Sequence, residues 1–81
     1  MKYPKSKLFE QLANIEHQRW ADWQKYMFSL CKQKKDGSLV IPVGLVSRWG
    51  TQIALDYKDL SKKEKDSDRE QVMRYWNLIK K

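Results

Sequence analysis

The stretch SKLFEQLANIEHQRWADWQKYMFSLCK, residues 6–32, decides the fold, because it holds no glycine and no proline and its apolar residues recur at spacings of three and four. At about 100° of turn per residue, Leu8, Phe9, Leu12, Ile15, Trp20, Trp23, Tyr26, Met27 and Leu30 share one broad face. That periodicity predicts an amphipathic helix to about Lys32, and Ser6 supplies an N-cap hydroxyl for its first turn. Glu16 falls near the centre of the same face, and Arg19 lies on it too. An isolated carboxylate in an apolar seam is very costly. Glu16 therefore needs an answering group, from the fold or from a ligand.

Working outward, Asp36-Gly37 is a turn signal, and Leu39-Val40-Ile41 is a short β-prone run ended by Pro42. It is too short for an independent sheet and is expected as an extended strap across the helices. Pro42 opens a second helix to about Ala54, with Leu45, Val46, Trp49 and Ile53 on one face. Gly44 and Gly50 weaken that helix by roughly 1 kcal/mol each and suit a close approach by another backbone or a ligand. Residues 56–60 form a connector with Tyr57 and Leu60 as buried anchors. Ser61-Lys62-Lys63-Glu64 has the pattern of a capping box and starts a third helix reaching about Ile79. Its apolar face carries Val72, Tyr75, Trp76 and Ile79, which Lys65, Asp68 and Arg69 extend toward its start. The fold class expected is mainly α: a small bundle of about three helices, with a short extended, β-prone segment between the first two, forming a single domain over residues 1–81.

Eighty-one residues bury roughly 60% of their unfolded surface, and so small a core leans on disulfides, a metal or oligomerisation. A single cysteine, Cys31, excludes an internal disulfide, and with the single His17 it gives no zinc-ligand spacing. Aromatic packing, from four Trp and four Tyr, or self-association remains. No apolar run approaches the roughly 20 residues of a membrane span, and MKYPKSK is not followed by an apolar signal region. With one thiol suited to a reducing compartment, the expected location is the cytoplasm.

The net charge of +7, from 17 basic and 10 acidic residues, permits attraction to anions. The basic residues are scattered, as Lys2, Lys5 and Lys7, Lys32, Lys34 and Lys35, Lys62, Lys63 and Lys65, and Lys80 and Lys81. Most stand beside acidic neighbours or at helix ends, as on a solvated surface.

The charges within the apolar faces are complementary, so an antiparallel return of the third helix is expected to pair Glu16 with Arg69 and Arg19 with Asp68. One reading is a buried ion-pair network that fixes register. The other is that Arg19 or Arg69 is partly uncommitted and binds an anionic or hydrogen-bonding ligand, with Trp20, Trp23 or Trp49 as a stacking wall. His17 borders the apolar face as a hydrogen-bonded boundary residue, and Cys31 suits inert packing at a helix edge. Without a second histidine, a reactive Cys partner or a serine in a nucleophile setting, no triad forms. Asp22, Asp56, Asp59 and Asp66 read as surface carboxylates, and no glycine loop cradles a phosphate. The expectation is a non-enzymatic protein with no cofactor and no metal.

Leu12-Ala13 followed by Glu16-His17-Gln18-Arg19-Trp20 resembles the opening of the ryanodine receptor repeat domain. Tyr57-Lys58-Asp59-Leu60-Ser61-Lys62-Lys63-Glu64-Lys65-Asp66-Ser67-Asp68-Arg69 resembles its closing segment, with the capping box in the same place, and this second block is the more specific. Together they cover residues 8–75, and Glu16, His17, Trp20, Tyr57, Leu60, Asp68 and Arg69 match the family pattern. The middle departs from it: where a Gly-Trp turn and a His-Pro step are usual, this chain has Lys35-Asp36-Gly37, Val40-Ile41-Pro42 and Trp49-Gly50.

The resemblance implies a compact helical domain of a kind found in tandem pairs in calcium-release channels. Stand-alone copies occur in bacteria and bacteriophages, where sensing of nucleotide-like ligands in conflict systems is attributed to them. It thus implies a phage or bacterial binding module, in the host cytoplasm if phage-encoded, for a small anionic ligand such as a nucleotide derivative. The candidate ligand-binding residues are Glu16, Arg19, Trp20, Trp23, Trp49, Tyr57 and Arg69. Because relatives pair in tandem, a single copy suggests a C2 homodimer. The rival reading is a protein-interaction or inhibitor module whose exposed aromatics and basic surface dock on an acidic host partner. Nucleic-acid binding ranks last, because the basic residues form no continuous stripe.

Overall fold

A computed structural model of the chain describes residues 2–80. Met1 and Lys81, the latter counted above with the C-terminal basic pair, lie outside the described residues. The order is α1 (Lys7–Leu30), β1 (Lys32–Gln33), β2 (Leu39–Val40), α2 (Val43–Ala54), a 3-10 turn (Tyr57–Asp59) and α3 (Lys62–Ile79). The architecture is mainly α with a two-stranded antiparallel hairpin between the first two helices.

Each boundary follows from local chemistry. Ser6 Oγ accepts from the Phe9 amide at 3.2 Å and so satisfies one free donor of the first turn of α1. Cys31 is extended and ends the helix, so Lys32, expected at the helix end, instead joins a strand with Gln33. Lys32 pairs with Val40 and Gln33 with Leu39. The strap thus has a partner, supplied by the residues immediately after α1. Its turn is built by Asp36, whose carboxylate accepts from the Ser38 amide at 2.9 Å and the Ser38 hydroxyl at 2.6 Å. Gly37 follows at φ +90°, where a side chain would be strained.

α3 starts on a complete capping box: Ser61 Oγ accepts from the Glu64 amide at 3.2 Å, and the Glu64 carboxylate accepts from the Ser61 amide at 3.0 Å. It packs against α1 in antiparallel sense, with Leu78 beside Ile15 and Arg74 beside Asp22. The Arg74–Asp22 pair, at 2.8 Å, is the one ion pair joining these helices among the described residues. With both side chains substantially exposed, it contributes only about 0.5 kcal/mol.

The inward faces differ from those the periodicity suggested. On α1 the half-buried apolar residues are Phe9, Leu12, Ile15, Met27 and Leu30, while Leu8, Trp20, Trp23 and Tyr26 are exposed. On α3 the inward edge is Gln71, Tyr75 and Leu78, and Val72, Trp76 and Ile79 are exposed. On α2, Leu45, Trp49 and Gln52 turn inward, whereas Val46 and Ile53 point out. Leu60 is a half-buried anchor, but Tyr57 is exposed.

No described residue is fully buried. The radius of gyration is 16.4 Å, against roughly 12 Å for a compact chain of this length. The accessible surface is 7230 Å², against roughly 5,200 Å² for a folded monomer of this mass. The helices form an open frame of 45 × 35 × 22 Å. Among the described residues, no helix is long and apolar enough to cross a membrane.

Candidate functional site

The candidate residues fall into separate groups. Glu16 and Arg19 pair with each other, one helical turn apart. Arg19 Nη2 donates to Glu16 Oε1 at 2.8 Å and its Nε to Oε2 at 3.3 Å. This bidentate bond holds the Glu16 carboxyl below its ordinary range and raises the Arg19 guanidinium, which also feels nearby Tyr75. The Glu16 side chain is 56% exposed, so no buried charge has to be answered.

The expected cross-helix pairs, Glu16 with Arg69 and Arg19 with Asp68, do not form. Register is the reason. Arg19 lies beside Tyr75, and Arg69 is roughly six residues from Tyr75, about 9 Å along α3. Arg69 instead donates to Asp66 Oδ1 at 2.9 Å, and Asp66 also takes Lys62 at 2.7 Å. Lys62 first and Arg69 second hold the Asp66 carboxyl low. Asp66 and then Tyr57 raise the Arg69 guanidinium.

Tyr57 does meet Arg69 and has Lys65 Nζ over its ring, 5.8 Å from the centroid, within the range of a cation–π contact. Trp23 and Trp49 meet edge to face at 5.6 Å between centroids, joining α1 to α2, and Tyr26 lies 5.5 Å from Trp23. Trp20 is 55% exposed and stacks on His17 at 6.0 Å. His17 is thus an exposed stacking partner rather than a hydrogen-bonded boundary residue. Among the described residues, no hydrogen bond or ring contact links the Glu16–Arg19 pair, Trp20, the Trp23–Trp49 pair and the Tyr57–Arg69 corner to one another. They do not converge on one ligand.

The concavities lie elsewhere. One open depression is lined by Lys62, Lys63, Asp66, Ser67 and Glu70 of α3, and a second lies between the start of α1 and Leu78. No candidate ligand residue lines either. Among the described residues, no three His, Cys, Asp or Glu side chains converge as a metal site requires. Cys31 is a half-buried free thiol.

Sequence reasoning missed Lys65 as the cation on Tyr57, although the spacing from a preceding aromatic to the second turn of a capped helix could have suggested it. It also missed Asp22 and Arg74, for which no local signal exists. Gln71 Oε1 is enclosed without a protein hydrogen-bond partner, the one such side-chain atom among the described residues. Largest of all, it missed the outward stripe on α2: Val43 and Ile53 are each 84% exposed and Val46 is 53% exposed. Comparison with family models, with curated proteins and with solved structures found no match to this chain.

Proposed function

We propose that this chain is a non-enzymatic binding module of the cytoplasm, which works by docking on another protein chain and resembles the stand-alone ryanodine receptor repeat. The observation that carries this reading is the unburied apolar surface. Valines, isoleucines and tryptophans face outward on all three helices, and the accessible area exceeds that of a compact monomer by roughly 2,000 Å². Monomeric proteins rarely expose contiguous apolar patches of more than a few hundred Å², so this surface is best explained by a protein partner. A partner other than the chain itself would be acidic, since the net charge is +7.

A second reading has its own support. Lys65 stands over the Tyr57 ring and Arg69 lies near enough to Tyr57 to feel it, which puts two cations and an aromatic face within reach of a small anion carrying a planar group. One experiment separates the two: native mass spectrometry of protein purified at low salt, then denaturation of the same sample. A stoichiometric complex of protein chains, with no small molecule released, is the expected result. A released small anion, lost in the Arg69→Ala variant while its helical signal persists, would replace the first reading with the second. A bare 9.8 kDa chain that also binds no acidic protein would overturn the docking reading.

A further inference from the structure

α2 carries an apolar stripe that no described residue covers. At about 100° per residue, Val43, Val46, Gly50 and Ile53 fall within one arc of the helix, centred about a quarter turn round from the Leu45–Trp49 side that packs inward. Val43 and Ile53 are the most exposed large apolar residues described. Ile41 and Leu55, next to the two ends of the helix, are exposed as well. A methyl group added at Gly50 would meet nothing within 4 Å, so that side of α2 is open space.

We infer that the outer stripe of α2 seats the same stripe of a second copy of this chain, around a two-fold axis near Gly50. This rests on the docking reading above and names its partner. Two observations favour a second copy over a foreign protein. First, the stripe is uncharged. Arg48 is the only charged residue of α2, and it lies on the far side, close enough to Glu64 to lower that carboxyl. A basic module docking on an acidic protein would present cations on the docking face. This face presents none, and two chains of +7 meet here without like charges opposed.

Second, the stripe is self-complementary. With two α2 helices crossed antiparallel at Gly50, the absence of a side chain there lets the backbones approach. Val46 of each copy then packs against Ile53 and Ala54 of the other, as an isologous interface requires.

The test is disulfide trapping with a sedimentation series, in a Cys31→Ser background so that the introduced thiol is the only one. Gly50→Cys, oxidised at low concentration, is expected to form a covalent dimer across the axis. Thr51→Cys, one residue round the helix and off the stripe, is expected to stay reduced. The parent chain is expected to sediment at twice 9.8 kDa and to dissociate on dilution. Ile53→Asp should raise the dissociation constant about thirtyfold or more. Should that variant fail to fold, the Gly50 cross-link still decides. No Gly50 cross-link, or equal cross-linking at Thr51, overturns the inference. A stable complex with a different protein and no Gly50 cross-link overturns it while leaving the docking reading standing. A chain that stays monomeric at every concentration overturns it too, and one that also binds no other protein removes the docking reading.

Discussion

Replacing Trp49 with alanine takes away the ring that ties α2 to α1 through its edge contact with Trp23. A fully buried Trp removes roughly 150–250 Å² from water. Trp49 is mostly, though not fully, buried, so about 130 Å² is lost relative to alanine, or about 3 kcal/mol at 25 cal/mol per Å². A compact unfolded chain lowers that to about 2 kcal/mol, and loss of the ring pair adds about 1 kcal/mol. The variant is expected to lose about 3 kcal/mol in total, set against about 4–12 kcal/mol for a whole chain of this length. Trp23→Ala should cost about 2 kcal/mol, because that ring is more exposed. The double variant loses the pair only once, so the double-mutant cycle should return a coupling of about 1 kcal/mol. The assay is urea unfolding followed by circular dichroism at 222 nm, with all four proteins at one concentration so that association is held constant. A coupling below about 0.3 kcal/mol, within the additivity of independent sites, would show that the rings do not meet in solution. The attachment of α2 described above would then be wrong.

Two other outcomes follow from the start of α3. Ser61→Ala should cost about 1 kcal/mol and Ser61→Gly only a few tenths, the first lowering the melting temperature by about 4–8 °C; equal effects would refute the cap. Acid should loosen the same turn, because the Ser61 amide and then its hydroxyl hold Glu64 below its ordinary 4.5, while Lys62 and then Arg69 hold Asp66 below 3.8. A carboxyl depressed in the folded state stabilises above its unfolded value and loses that contribution as pH falls through the folded one. Thermal stability, followed at 222 nm, should therefore decline below pH 4.5 and further below 3.8, with a shallower decline in Glu64→Gln. A flat profile would count against both contacts.

What could be read in the sequence was whatever depends on neighbours along the chain. The Ser6 cap, the Asp36-Gly37 turn and the Ser61–Glu64 box each involve residues within a few positions of one another, and local chemistry fixes them without reference to packing. The inward faces were less legible, because periodicity gives an apolar arc but not which edge of it meets a neighbour. On α3 the arc centres on Val72, Trp76 and Ile79, yet contact with α1 is made through Gln71, Tyr75 and Leu78, about a quarter turn away. The charges failed for a related reason. Arg19 has Glu16 one turn away, and Arg69 has Asp66 at the same spacing. A pair at that spacing forms on any helix at no cost in loop closure, so cross-helix partners had to compete with bonds already made.

That competition changes what the apolar content means. Three amphipathic faces in 81 residues were expected to make one small core reinforced by aromatic packing or self-association, but after α1 and α3 meet, Val43, Val46 and Ile53 still face water. Their spacing is as regular as that of the residues that turn inward, so nothing in the local pattern separates the two sets. Regular patterning on a face that the described residues leave uncovered is what the proposed pairing of two copies would bury. For this reason Arg69 cannot be assigned a ligand from its charge alone. It is held by Asp66 within its own helix, and the surface that lacks a partner is the uncharged side of α2.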